Sequence, residues 1–183
     1  MKVDFDEYKK IFDKAKNVYQ ETRDLPIELR FKKSIFFTMR GTVSYAPFFN
    51  KKRKYLVFVN LNKKALLLQL DEVNLTAWFA HELAHIIEYE KMSNRGLLIF
   101  LIKYTLNPKF RFIVEKRINA YAVNNGFANE VFNTWKKFLS LEDVINSRYK
   151  QYIIKNYYPD WEQVKDAAFK IGISKDIYEE GVL

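Results

Sequence analysis

The sequence predicts an α+β fold in a single domain, residues 1–183, on three observations. A stretch dense in aromatic and β-branched residues, broken by turn residues, occupies roughly positions 27–60. Helical periodicity precedes that stretch and dominates from about Asn74 onward, so strands are followed by helices and do not alternate with them. The chain is 183 residues long and 49% hydrophobic, without an internal repeat or low-complexity tract, enough for one core.

Taken in order, Phe5, Tyr8, Phe12, Ala15 and Tyr19 recur at three- and four-residue steps behind Asp4-x-x-Glu7. That is the pattern of a capped amphipathic helix. Pro26 breaks the chain, and two or three antiparallel strands are expected around Leu29–Met39, Thr42–Ala46 and Tyr55–Asn60, with turn residues at Gly41, Pro47 and Asn50. The last of these, within KYLVFVNLN, is apolar at both alternating sets of positions, so both its faces are expected to be covered.

Asn74 or Thr76 is expected to cap a helix running to about Glu90, and Gly96 to close the connection after it. Further helices are expected from about Phe110 to Asn125 with Gly126 as a stop, from Asn129 to about Leu139, from Ser140 to before Pro159, and from Asp160 to Gly172. The apolar tract Leu97–Leu106 contains Lys103 and is far shorter than the roughly 20 residues needed to span a bilayer. It is expected to be a buried helix; the competing reading, suggested by flanking Arg95, Lys109 and Arg111, is peripheral contact with an anionic membrane.

Composition narrows the chemistry. The absence of cysteine excludes disulfides, thiolate ligands and a cysteine nucleophile, so any metal must be held by His, Asp or Glu. The net charge of +9 comes from lysines scattered in small groups, without the arginine-rich concentrated face of nucleic-acid readers, and nucleic acid is not an expected partner. The first residues, MKVDFDEYKK, include acids and no apolar run, unlike a secretory signal, so a cytoplasmic location is expected.

The informative segment is Trp78-Phe-Ala-His81-Glu82-Leu-Ala-His85-Ile-Ile87. Residues four apart on a helix stand one above the other, so His81 and His85 can offer one imidazole nitrogen each to a single ion. Glu82 is rotated about 100° from that line, beside the metal and not on it, where it can reach a metal-held water. These are the only two histidines in the chain, and chance would give this spacing about once per thousand sequences of this composition. Ala77, Ala80 and Ala84 keep the ligand side slim, while Phe79, Leu83, Ile86 and Ile87 anchor a buried helix.

A catalytic zinc takes three protein ligands and keeps one position open. With no further His and no Cys, the third ligand must be a carboxylate. Glu88 lies about 10 Å along the axis from His81, too far to close the set, and Glu90 points the other way. Glu115 is the next acid and shares a helical face with Asn119 and Ala122; it is preferred over Glu130 and Glu142.

On this motif the sequence resembles the zincin metallopeptidases, and within them the gluzincins, which pair HExxH with a glutamate on a following helix. The stretch from Leu75 to Gly126 is similar to the cores of HtpX-like and other small intracellular members. The resemblance implies one Zn²⁺, a protein or peptide substrate, and a strand edge beside the cleft that pairs with it; Lys54–Leu61 and Leu66–Leu70 are the two candidates, with interior positions equally open to both. It also implies that the residue four after the ligand glutamate supports a ligand histidine. The family carries an acid there and this chain carries Asn119, an uncharged acceptor that polarises the imidazole less.

The expected chemistry is hydrolysis of a peptide bond, with Glu82 as general base toward the metal-held water and then as general acid toward the leaving amine. Tyr121 and Tyr45 are candidate oxyanion donors by residue type alone. Two other readings stay open: a zinc-dependent amidohydrolase of a non-peptide substrate, and a zincin-like binding module without turnover.

Overall fold

Asp4 begins the first helix, α1 (Phe5–Val18), by accepting the N–H groups of Asp6 and Glu7 on its carboxylate. Tyr8, Ile11, Phe12 and Ala15 form its buried side. In the computed structural model, which describes residues 3–35, 37–44, 53–63 and 67–140, that side lies against a long helix, α2 (Glu72–Glu90). Two tyrosines add hydrogen bonds here: the Tyr8 hydroxyl donates to the carbonyl of Leu67, ahead of α2, at 3.2 Å, and the hydroxyl of the buried Tyr19, just after α1, donates to the Ala80 carbonyl of α2 at 3.1 Å.

Three strands follow α1, namely β1 (Ile27–Lys32), β2 (Met39–Val43) and β3 (Tyr55–Asn60), in the sheet order β1-β3-β2. β2 runs antiparallel to β3, but β1 runs parallel to it, with Ile27 opposite Tyr55 and Lys32 opposite Asn60, which corrects the all-antiparallel expectation. The expected strand at Leu29–Met39 is in fact the end of one strand and the start of another. Asn60 is the reason. Its fully buried side chain accepts the Ser34 N–H at 2.8 Å and donates to the carbonyls of Ser34 and Phe37, giving the connecting backbone the partners a ladder would have supplied.

β3 is therefore the central strand. Tyr55, Val57 and Val59 are buried on its inner face, whereas Leu56 and Phe58 on the other face are only half-buried, so the expectation of two covered faces is corrected. Phe58 is partly shielded by Phe37 and by the Lys32 ammonium, 3.9 Å from its ring centre.

α2 starts at an Asp71 cap, one turn before the expected one, because Asp71 and Asn74 exchange hydrogen bonds as a capping box. Asn74 is buried and donates to Thr134 of a later helix. The Leu67–Leu70 stretch before α2 is a turn with two buried leucines, not a strand. Helices α3 (Asn94–Leu106), α4 (Pro108–Ala122) and α5 (Ala128–Ser140) complete the described fold. Gly96 sits inside the first turn of α3, where its N–H is accepted by the Ser93 cap, and so does not close a connection. Asn107 caps α4, whose first residue is Pro108, and Gly126 (φ 98°) turns the chain from α4 toward α5 in a conformation that suits glycine.

α3 also departs from expectation. Leu97 and Phe100 are buried, but the tract as a whole is not a buried helix, since Leu98, Ile99, Ile102 and Leu106 are exposed. The helices expected after Ser140, and Tyr45, lie outside the described residues.

α2 is surrounded by α1, β2, α4 and α5, which is why it is apolar nearly all round. Phe79 shows what this packing is worth. It is fully buried, with the rings of Tyr8 and Phe12 set edge-on at 6.3 and 5.4 Å. Phe79→Ala is expected to cost about 3–5 kcal/mol in urea unfolding, because the void cannot be closed by two rings anchored on another helix. A loss below about 1 kcal/mol would mean that α1 does not seat on α2 as described.

Candidate metal centre

The helical spacing of His81 and His85 puts their ring centres 4.9 Å apart on the side of α2 that faces α4. From α4, Glu115 enters between them: its Oε2 is 3.0 Å from His81 Nε2 and its Oε1 is 3.5 Å from His85 Nε2. His85 and Glu115 are buried and His81 is mostly so. Among the described residues, these three make the group whose ligand atoms all fall within 4.8 Å of one another, a possible metal site.

The donor set fits a small divalent ion. Two ligands held about 2.0–2.1 Å from one ion at the tetrahedral angle stand about 3.3 Å apart, and the two nitrogen-to-oxygen distances here, 3.0 and 3.5 Å, lie either side of that value. Two imidazoles and one carboxylate are also the ligand chemistry of a catalytic zinc.

Each of the three is held by a neighbour. Asn119, one turn beyond Glu115, has its Oδ1 2.8 Å from His81 Nδ1, so an N–H on Nδ1 donates to the amide and Nε2 is turned toward Glu115. His85 is fixed by packing, stacked on Tyr89 and edge-on to Tyr104; its buried Nδ1 has no hydrogen-bond partner among the described residues. The Tyr104 hydroxyl of α3 donates to Glu115 Oε1.

The electrostatics of the cluster follow. Burial by itself favours neutral His81, but the Glu115 carboxylate against the ring, with Glu82 and Asn119 behind it, carries the pKa up to about 9. Burial likewise favours protonated Glu115, yet its bonds to His81 and His85 hold its carboxyl well below the usual carboxylate range. For Tyr104, burial and then the Glu115 charge push the phenol upward, keeping it a donor. The cluster thus sets one carboxylate against two imidazoles.

Glu82 stands beside this group. Its Oε2 accepts the Gly41 N–H of β2 at 2.5 Å. The contact needs glycine: a Cβ at position 41 would lie 2.6 Å from the Glu82 carbonyl oxygen, so only a bare Cα lets β2 come this close to α2.

The other acids and tyrosines are engaged elsewhere. Glu88 pairs with Arg117, Glu90 accepts the Tyr55 hydroxyl, and Glu130 lies in the first turn of α5. The Tyr121 hydroxyl donates to Glu21 at 2.6 Å with its ring stacked on Tyr19, which commits that hydroxyl to Glu21 and not to the cluster. Glu142 and Tyr45 fall outside the described residues.

Two members of the site escape sequence reasoning. Tyr104 sits in an apolar tract whose periodicity concerns packing, and nothing there points to Glu115. Gly41 reads as a turn residue; a glycine inside a strand pattern can equally mark a close backbone approach, which is the signal that was present. No family model, curated protein or solved structure matches this chain.

Proposed function

We propose that the chain is a zinc metallopeptidase of the zincin type, with His81, His85 and Glu115 holding one zinc ion and Glu82 acting as general base and then general acid. The observation that carries this reading is the convergence of those three side chains, from two helices, with the Glu82 charge close enough to act on His81. Bound there, zinc would supply Lewis acidity and lower the pKa of a water toward neutrality.

The chain's own groups would do the rest. Asn119 sets the His81 tautomer, and Tyr104 holds the Glu115 carboxylate in place. Glu82, with Oε2 fixed by Gly41, takes the proton of the attacking water and passes it to the amide nitrogen as the C–N bond breaks.

A peptide has an edge to align on. β3 is central, so the first of the two expected substrate strands is interior, and β2 is the edge strand next to α2. The Thr38 carbonyl and the Ser44 N–H turn toward β3, and Gly41 N–H turns the opposite way, over Glu82. Extended substrate added to that edge would meet Gly41 beside the general base, which favours a peptide over a compact amide.

The test is metal analysis of the purified chain together with digestion of casein and a peptide library, with and without a chelator. One zinc per chain and chelator-sensitive cleavage are expected. A metal-free protein indifferent to added zinc would sink the proposal, and a zinc-loaded protein inert on every peptide would assign it to the binding modules.

Asn119 supplies a finer check. Asn119→Ala is expected to weaken zinc binding about 10–100-fold in competition with a chromophoric chelator, because His81 loses the group that orients it. Asn119→Asp is expected to bind at least as tightly as the native chain. Equal affinities for the alanine and native proteins would remove Asn119 from the site.

A further inference from the structure

The helix that carries Tyr104 to Glu115 shows an apolar surface to water on its opposite side. Leu98, Ile99, Ile102 and Leu106 of α3 are 45, 45, 50 and 76% exposed, and Ile113 of α4 adds another at 58%. Leu98, Ile102 and Leu106 follow one another at four-residue steps with Ile99 alongside, so they form one stripe and not isolated side chains.

Along α3 and the start of α4 the exposed charge has one sign. Arg95 and Lys103 continue the row of Ile99 at four-residue steps, and Lys109 follows at the start of α4; all three are exposed. From Lys91 to Asn129 the only acid is Glu115, and it is buried in the cluster. A helix face with long aliphatic side chains and cations side by side, and no acid among the described residues from 91 to 129 except the buried Glu115, complements apolar matter beneath a negatively charged layer.

We propose that this face of α3 docks on an anionic lipid bilayer, lying in the plane of the headgroups with Leu98, Ile102 and Leu106 at the acyl boundary and Arg95, Lys103 and Lys109 among the phosphates. A 13-residue helix is about 20 Å long, against a hydrocarbon core of about 30 Å, so it lies on the membrane and does not cross it. None of the described helices is long and apolar enough to span. Nucleic acid fits the stripe poorly, because it is aliphatic and offers no aromatic ring for a base to stack on. The inference stands apart from the zinc reading, since none of these side chains ligates or touches the cluster.

The experiment is co-sedimentation of the full chain with vesicles of phosphatidylcholine alone and of phosphatidylcholine mixed with phosphatidylglycerol. Binding to the mixed vesicles is expected to exceed binding to neutral ones by at least about tenfold and to weaken as salt is raised. I102D combined with L106D, both at exposed positions, is expected to abolish it, while I102L with L106I preserves it. R95Q and K103Q are each expected to weaken binding about fivefold, the equivalent of about 1 kcal/mol per surface cation. Failure to sediment with the mixed vesicles would overturn the proposal, as would equal binding to both compositions or undiminished binding by the aspartate variant whose circular dichroism is native. A dimer that the aspartate variant dissociates, without vesicle binding, would assign the face to a second copy and overturn it equally.

Discussion

Glu82→Gln is expected to lower kcat/KM on a cleavable peptide by about three to four orders of magnitude while the protein keeps its zinc and its fold. The size follows from what a positioned general acid–base contributes, about 10²–10⁴-fold, and the upper part applies because in the proposed reaction one carboxylate serves both proton transfers. The selectivity follows from the geometry. Glu82 lies outside the candidate group of ligand atoms, so its charge is not expected to hold a metal there. Its Oε2 accepts the Gly41 N–H, and a glutamine can present its amide oxygen to the same donor, so the side chain keeps its place and loses only its basicity. The measurement pairs a fluorogenic peptide assay with zinc analysis of the same preparation. Turnover within tenfold of native by a zinc-replete variant would exclude Glu82 as the base, and loss of zinc along with turnover would mean that it contributes to holding the ion.

Removing the third ligand is expected to act on the metal itself. Glu115→Ala leaves two imidazoles one helical turn apart, a pair that cannot hold zinc with a three-ligand affinity, and zinc content is expected to fall from one per chain to near none, with cleavage undetectable. Stability offers a second readout. A ligand that binds only the folded chain adds about 2.7 kcal/mol at a hundred times its dissociation constant, so zinc should raise the melting temperature of the native protein by several degrees and that of the variant not at all. The alanine also strips Tyr104 and His81 of a buried partner, at about 1–3 kcal/mol. Glu115→Gln, which keeps an acceptor for the Tyr104 hydroxyl, separates this structural cost from loss of the ion: it should fold better than the alanine variant yet remain low in zinc. A zinc-replete, active Glu115→Ala protein would place the third ligand elsewhere.

Much of the site was legible because its information is local. His81, Glu82 and His85 lie within five consecutive residues, and the 3.6-residue period of a helix already dictates which of them share a line. Glu115 could be named because the chain holds no third histidine and no cysteine, whereas Asn119 was named as a supporting residue only through the resemblance, as the residue four after that glutamate. The capped start of α1 and the glycine after α4 were readable on the same ground, since caps and left-handed turns are set by residues within a few positions of each other.

Where sequence reasoning missed, the deciding contact was between distant residues. The break between β1 and β2 goes with Asn60 binding the chain at Ser34 and Phe37, more than twenty residues away. The start of α2 depended on which of several polar residues capped it, and Asn74 proved to be the far half of a box and a partner of Thr134. The exposure of α3 could not be read from its apolarity, because hydrophobicity states what a helix would gain by being covered and not whether anything covers it.

The sequence alone therefore determined the helical histidine pair, the acid beside it, a carboxylate as the type of a third candidate donor and the α+β order of elements, all of which follow from backbone periodicity and composition. Only the tertiary structure decided that Glu115 comes between the two rings, that Tyr104 holds it, that β2 and not β3 lies at the edge, and that Gly41 touches Glu82. Those facts depend on how helices and strands far apart in the chain come to share one core, and no local repeat encodes that arrangement.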